Sequence, residues 1–154
     1  MQSIMYRLAT SLDAPDLLRW KNDPETREFS ISTHDEITEE RHAIWMKAML
    51  ENPNVRTYII ESNGYPCGDI RVEVHAHYIE IAIKLDRRFR GIGIGTAALK
   101  TIGELVQKEF KKRSIAKIVY GNIASMRLFQ NCGYVVSGYG DEGYYICSKD
   151  YIPI

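Results

Sequence analysis

The spacing of apolar residues changes along the chain, and each change marks an element. A strand is predicted over about Met5–Ala9. A helix follows from Asp13, with Pro15 in its first turn and Leu17, Leu18 and Trp20 as its apolar side. Asp23-Pro24 reads as a second helix start, an acid at the N-cap before proline at the first helical position. A third helix from Thr38 carries Ile44, Trp45, Ala48 and Met49 at helical spacing.

The period then drops to two. Arg56–Glu61 runs into Ser62-Asn63-Gly64, a hairpin signal, and strands near Cys67–Val74 and Tyr78–Leu85 complete an antiparallel meander. In the last of these Ile79, Ile81, Ile83 and Leu85 alternate with Glu80, Ala82 and Lys84, which predicts one deeply buried face and one more polar face. A glycine-rich turn leads into a helix from Gly95, with Ala98, Leu99, Ile102, Leu105 and Val106 on one stripe and basic residues at its end, from Lys108 to Arg113. A strand over Ile115–Tyr120, a helix capped by Asn122 and running through Phe129, and strands near Tyr134–Gly138 and Tyr144–Tyr151 close the chain. The strand–helix–strand unit over 78–120 implies one parallel pair in an otherwise antiparallel sheet. The expected architecture is α+β, a mixed sheet flanked by helices, as one domain over residues 1–154.

Composition narrows the class. The chain has 154 residues, 45% of them hydrophobic and 26% charged, as an ordinary soluble globular domain does. Twenty Lys and Arg balance 20 Asp and Glu, so a general nucleic-acid binder with a basic excess is not expected. No apolar stretch approaches the roughly 20 residues of a membrane-spanning helix. The start, Met1-Gln2-Ser3-Ile4-Met5-Tyr6-Arg7, lacks a signal-peptide layout. Cys67, Cys132 and Cys147 are odd in number and widely spaced, which suits reduced thiols in a cytoplasmic protein better than disulfides or a metal site.

The candidate chemistry sits in Arg90-Gly91-Ile92-Gly93-Ile94-Gly95-Thr96. Alternate glycines between a strand and a helix free the backbone to approach a ligand, and converging N–H groups at a helix start attract an anion. Arg87, Arg88 and Arg90 flank the turn. A phosphate or pyrophosphate is the ligand these features suit, against the plainer reading of a glycine-rich turn with solvated arginines. A Walker loop would need a Gly-Lys-Ser/Thr ending, and a dinucleotide fingerprint is G-x-G-x-x-G; neither spacing is present.

Arg90-x-x-Gly93-x-Gly95 after the strand Ile79–Leu85 closely resembles the acetyl-CoA signature of the GNAT superfamily of N-acetyltransferases. Asn122-Ile123-Ala124-Ser125-Met126-Arg127-Leu128-Phe129, closing with Gly133-Tyr134, resembles a second segment of that family. The resemblance implies acetyl-CoA as co-substrate. Backbone groups of Ile83, Lys84 and Leu85 would pair with its pantetheine arm, in a gap between two splayed parallel strands. The N–H groups of Arg90, Gly91, Ile92, Gly93, Ile94, Gly95 and Thr96 would hold the pyrophosphate. Asn122 would contact the pantetheine, a role that competes with plain helix capping, and Ser125 and Phe129 would lie near the arm or thiol. The N–H near Leu85 is the implied oxyanion donor.

The family's usual tyrosine acid falls on Phe129, which cannot donate a proton, and Tyr120 and Tyr134 are the nearest hydroxyls in sequence. Glu80 is the candidate base and reads equally as a solvated strand carboxylate. Glu73, His75 and His77 lie just before it. The stretch Leu17–Pro24 with Arg27 resembles two branches of the family. One acetylates amino groups of nucleotide-linked amino sugars, and the other acetylates protein N-termini. The sugar branch is favoured, with Trp20, Asn22, Arg27 and Glu73 toward the acceptor, against the plainer reading of a capped helix–turn–helix whose Trp20 is simply buried. The alternative readings are an N-terminal acetyltransferase and a catalytically weak acyl-CoA sensor. The Tyr-rich C-terminal strands would offer an edge to a homodimer.

Overall fold

The computed structural model describes residues 3–31 and 34–153. Its strands are β1 (Ile4–Leu8), β2 (Val55–Ser62), β3 (Tyr65–Val74), β4 (Tyr78–Leu85), β5 (Arg113–Val119), β6 (Val135–Tyr139) and β7 (Tyr144–Lys149). Its helices are α1 (Ala14–Asn22), α2 (Pro24–Glu28), α3 (Glu39–Glu51), α4 (Ile94–Phe110) and α5 (Ile123–Asn131). The strands form one sheet in the order β1-β2-β3-β4-β5-β7-β6. Every pairing is antiparallel except that of β4 with β5, the pair joined through α4.

Local chemistry explains the boundaries. Asn63 (φ +50°) and Gly64 (φ +84°) make the two-residue turn between β2 and β3 that Asn-Gly favours. Side chains cap three helices: Asp23 accepts from the N–H groups of Glu25 and Thr26, Thr38 from Arg41, and Asn122 from Ser125.

The sheet buries both faces. Tyr58 and Ile60 point into the core under α4 and α5, with Ile70, Val72, Ile79, Ile81, Ala98 and Leu99. Ile59, between them, points the other way and packs with Leu17, Trp20, Met46 and Met49 from α1 and α3. Several expected stripes shift. On α3 the buried positions are His42, Met46 and Met49, while Ile44 is 73% exposed. On α4 Leu105 is exposed and the buried stripe runs through Gly103 and Gln107 instead. Gln107 is admitted because its amide donates to the Lys149 carbonyl at 2.9 Å. The more polar face of β4 is also not a solvent face: α1 and α3 cover it, and the Lys84 side chain is only 15% exposed.

Candidate active site

Pairing between β4 and β5 is brief. Tyr78 faces Arg113, Ile79 faces Ser114 and Glu80 faces Ile115, after which the strands part although both continue. The Asp86 N–H donates to the Cys67 carbonyl at 2.7 Å, toward β3. Strand alternation therefore turns the N–H groups of Ile83 and Leu85 the other way, into the gap. Two hollows open there, of about 700 Å³ and about 340 Å³. Ile83, Leu85, Arg90, Asn122, Ala124 and Ser125 line both, so the two meet at the parting strands.

The smaller hollow is the glycine turn. Gly91 (φ +77°) and Gly93 (φ +89°) hold left-handed conformations that other residues adopt only with strain. A Cβ on either would meet nothing within 4 Å, so the turn is open. Gly93 caps α4 and accepts the first helical bond from Ala97, leaving the N–H groups of Ile94, Gly95 and Thr96 without an intrahelical acceptor. Gly95 serves a different purpose. A Cβ there would come within 2.5 Å of Leu128 and 3.2 Å of Leu85, so glycine lets α4 close on α5 and β4. The side chain of Ile94 is buried in the core, and that of Ile92 is exposed and lines neither hollow. Arg127 on α5, a position the sequence reading gave no role, lines this hollow.

Of the arginines beside the turn only Arg90 is drawn in; Arg87 and Arg88 stay exposed, as the plainer reading had them, although each is paired with an acid. Arg90 donates to the Leu85 carbonyl (3.1 Å), to Glu25 (2.7 Å) and to Thr26 (3.4 Å), tying α2 to the turn. Arg87 pairs with Asp23 at 3.3 Å, and Arg88 with Asp86. The Arg88 guanidinium, helped by its own N–H, by Arg19 and by Trp20, holds the Asp86 carboxyl well below the usual carboxylate range. With these cations matched by acids, what the turn itself presents to the hollow is the free N–H groups at the start of α4, with Arg127 beside them.

The larger hollow lies between the polar face of β3–β4 and helices α1–α3. Glu80 lines it, 3.4 Å from Lys117. Arg27 also lines it, its Nε held by the Asn22 carbonyl at 3.1 Å. The other expected acceptor residues stand elsewhere. Trp20 is 2% exposed with its Nε1 on Asp86 at 3.2 Å, so it packs the interior instead of walling the hollow. Asn22 spends its amide on the N–H and carbonyl of Ile37, pinning the segment before α3. Glu73 ion-pairs with Arg71, lies 3.6 Å from His75 Nε2 and lines neither hollow. Glu73, His75 and Glu80 nonetheless converge, their ligand atoms within 4.8 Å of one another.

Sequence reasoning missed the far end of this hollow, where Lys21, His42, Trp45, Arg71 and Lys84 gather from four elements. Burial, joined by the charges of Lys84 and Arg71, pushes Lys21 down to about 6. Burial and the same neighbouring lysines push His42 down to about 4.

Phe129 is buried, lines the larger hollow, and meets Tyr134 edge-on at 5.0 Å. The Tyr134 hydroxyl is 2.5 Å from Ser114 Oγ inside the core, and burial pushes it up to about 12. Tyr120 leans on Tyr145 at the surface. Neither tyrosine lines a hollow. Cys132 is buried, its Sγ 3.7 Å from the Thr96 carbonyl, as a packing residue would be. Among the described residues no helix is long and apolar enough to cross a membrane.

Comparison with known proteins bears on this geometry. A domain from Methanocaldococcus jannaschii superposes with a TM-score of 0.87 at 22% identity, over 97% of this chain and 99% of that one. An aminoglycoside acetyltransferase solved with coenzyme A gives 0.80 at 18% identity, over 96% and 95%. The Vibrio cholerae spermidine N-acetyltransferase, solved with CoA and spermine, gives 0.82 at 11% identity, over 94% and 92%. No curated protein matches the sequence significantly. The family profile of the Acetyltransferase (GNAT) domain matches residues 3–135, and the chain belongs to that family.

Proposed function

We propose that the whole chain is one acyltransferase domain that moves the acetyl group of acetyl-CoA onto a primary amine. The observation that carries this is the junction of the two hollows at the parting of β4 and β5. The glycine turn offers N–H groups to a pyrophosphate, Ile83 and Leu85 offer the gap to a pantetheine arm, and the larger hollow faces the place where its thioester would end. That similar folds are solved with coenzyme A agrees with the assignment.

In this reading the neutral amine nitrogen attacks the thioester carbonyl carbon. The Leu85 N–H faces the oxyanion that forms. The intermediate collapses by breaking the C–S bond, and CoA leaves as thiolate. Glu80 takes the proton that the acceptor ammonium loses. No tyrosine hydroxyl reaches the site, so the thiolate leaves on its own stability, with the ordinary thiol pKa near 8.5, and is protonated by water. Alignment of the two substrates supplies much of the rate.

The acceptor we favour is a small molecule, the amino group of a nucleotide-linked amino sugar. The alternative is a protein N-terminus. Fold likeness does not separate the two, since the Vibrio fischeri ribosomal-protein-S5-alanine acetyltransferase (TM-score 0.78) and the aminoglycoside enzyme (0.80) fit about equally. Phe129 in place of an acid keeps an acyl-CoA sensor as a third reading. Three buried free thiols suit a cytoplasmic protein. The exposed Val135, Val136 and Tyr139 on edge strand β6 suit pairing with a second copy. The test is thiol release from acetyl-CoA with amino sugars, polyamines and peptide N-termini. Bound acetyl-CoA with no amine-dependent thiol release would overturn the enzyme reading and favour the sensor.

A further inference from the structure

The larger hollow is polarised. Its acids are Glu25, Asp35 and Glu80, and two of these already hold Arg90 and Lys117. At the other end, beneath α1 and α3, the titratable side chains that line it are all of basic type: Lys21, Arg41, His42, Arg71 and Lys84. Lys84 on β4 has Asp69 of β3 at 3.5 Å, and Arg71 has Glu73 at 3.4 Å on the outer side. Lys21 of α1 makes no ion pair among the described residues; its Nζ lies over the Trp45 ring, 2.7 Å from the centroid. His42 of α3 is 3% exposed, and its Nε2 is buried with no hydrogen-bond partner. Lys21, Arg71, Lys84 and His42 thus line one end of the hollow, where the buried Asp69 pairs with Lys84 and keeps its Oδ1 without a hydrogen-bond partner.

Burying polar nitrogens without partners is costly, and an anion that accepts from Lys21 Nζ and His42 Nε2 relieves it. We infer that Lys21, Arg71, Lys84 and His42 form a subsite for an anionic group, a phosphate or carboxylate, carried by the acceptor amine. The inference rests on the acetyltransferase reading for the acceptor's identity, but the subsite itself can be examined without turnover. An anion there is held by charge-assisted hydrogen bonds. The depressed Lys21 then gains a proton as the anion arrives, so binding at neutral pH takes up protons. The groups that set this response are Lys21 on α1, Arg41 and His42 on α3, Asp69, Arg71 and Glu73 on β3, Lys84 and Glu80 on β4, Lys117 on β5, and Asp35 in the segment between α2 and α3. Amines without an anion, polyamines above all, leave Lys21 Nζ and His42 Nε2 without such a partner.

The experiment keeps the protein saturated with coenzyme A, so that the glycine turn is occupied. Inorganic phosphate is titrated at pH 7 while lysine side-chain nitrogens are followed by NMR, with Lys21 assigned through Lys21→Met. The expected result is a saturable shift of Lys21 from neutral amine toward ammonium. No response of Lys21 to phosphate or acetate overturns the inference. A second arm compares binding and acetylation of glucosamine, glucosamine 6-phosphate, muramic acid and spermidine. Tighter binding of an anionic sugar, about tenfold or more, is expected, and the preference for phosphate or carboxylate tells the two anions apart. In Lys21→Met and Arg71→Met that ratio should collapse. Equal binding of all four, or preference for spermidine, overturns the inference. Tight binding of an anionic sugar that is never acetylated supports the subsite and sinks the acetyltransferase reading.

Discussion

The two hollows that meet at β4 and β5 are built on different principles. The smaller is made of main chain from one continuous run, Arg90–Thr96, with α5 as its far wall. The larger is made of side chains delivered by α1, α2, α3, β3, β4, β5 and α5. A main-chain anion site needs only glycine conformations and a helix start, both local. A side-chain site needs several elements docked in register, and no one of them carries its signature. Chemistry shared across relatives suits the first construction and choice of acceptor the second, since side chains can change there without disturbing the backbone cradle.

The sharpest way to break this comparison is at the residue beside the junction of the two hollows. Glu80 lines the larger hollow at the last β4–β5 pair, where the strands part. Glu80→Gln keeps the shape and removes the base. We expect turnover to fall by about 10²–10⁴-fold with acetyl-CoA affinity unchanged by calorimetry. A fall of less than about tenfold would move the proton transfer to another group.

A paired substitution isolates the cradle. Gly64 and Gly93 share left-handed backbones at φ +84° and +89°, one in a remote hairpin and one at the turn. Changing either to Ala should cost about 1–2 kcal/mol of stability. Only Gly93→Ala should also weaken acetyl-CoA, by roughly tenfold or more, because its methyl enters the open hollow. Equal affinities in the two variants would mean that the pyrophosphate lies elsewhere.

Legibility follows the same division. The hairpin, the β4 boundaries, the Asn122 cap and the single parallel pair could all be read, because turn chemistry, strand alternation and one crossover are local facts. The stripe of α3 was misplaced because His42 resembles a surface residue, whereas it lies inward against a cavity wall. For Trp20 the resemblance points to the acceptor wall and the plain sequence to a buried helix residue; docking of α1 on Asp86 decides for the interior. The side chains of Lys21 and Lys84 carried no signal. Each is an ordinary lysine until α1 and α3 close over the sheet.

A smaller effect tests the absence of a tyrosine acid. Tyr134→Phe strands Ser114, which is fully buried, without its partner. Stability should drop by about 1–3 kcal/mol, while the single-turnover rate stays within a few-fold of the parent. A loss of about 10²-fold or more would make Tyr134 the acid after all and require its ring to leave the core.

The smallest effect concerns the charge at the acceptor end in the empty protein. The ordinary lysine pKa of 10.5 falls to about 6 for folded Lys21, through burial first and the charges of Lys84 and Arg71 next. Between these values the unfolded chain binds a proton that the folded chain does not, so stability from this group rises with pH from about 6 to 10.5. Below about 6 both states hold the proton, and the cost of burying the charge is fully present. Lys21→Met removes that cost and can keep the packing on Trp45. The variant should therefore melt above the parent near pH 6, by about 2–4 °C for each kcal/mol recovered. The advantage should shrink as pH rises and vanish near 10.5, where neither state of the parent carries the charge. His42 adds a second signature, because Lys21 is among the charges that depress it. In the variant its titration, followed by NMR of the ring, should move upward from about 4. A melting difference that is flat across this range would mean that Lys21 keeps its proton in the folded protein, with a counter-charge already beside it and no vacancy for an anion.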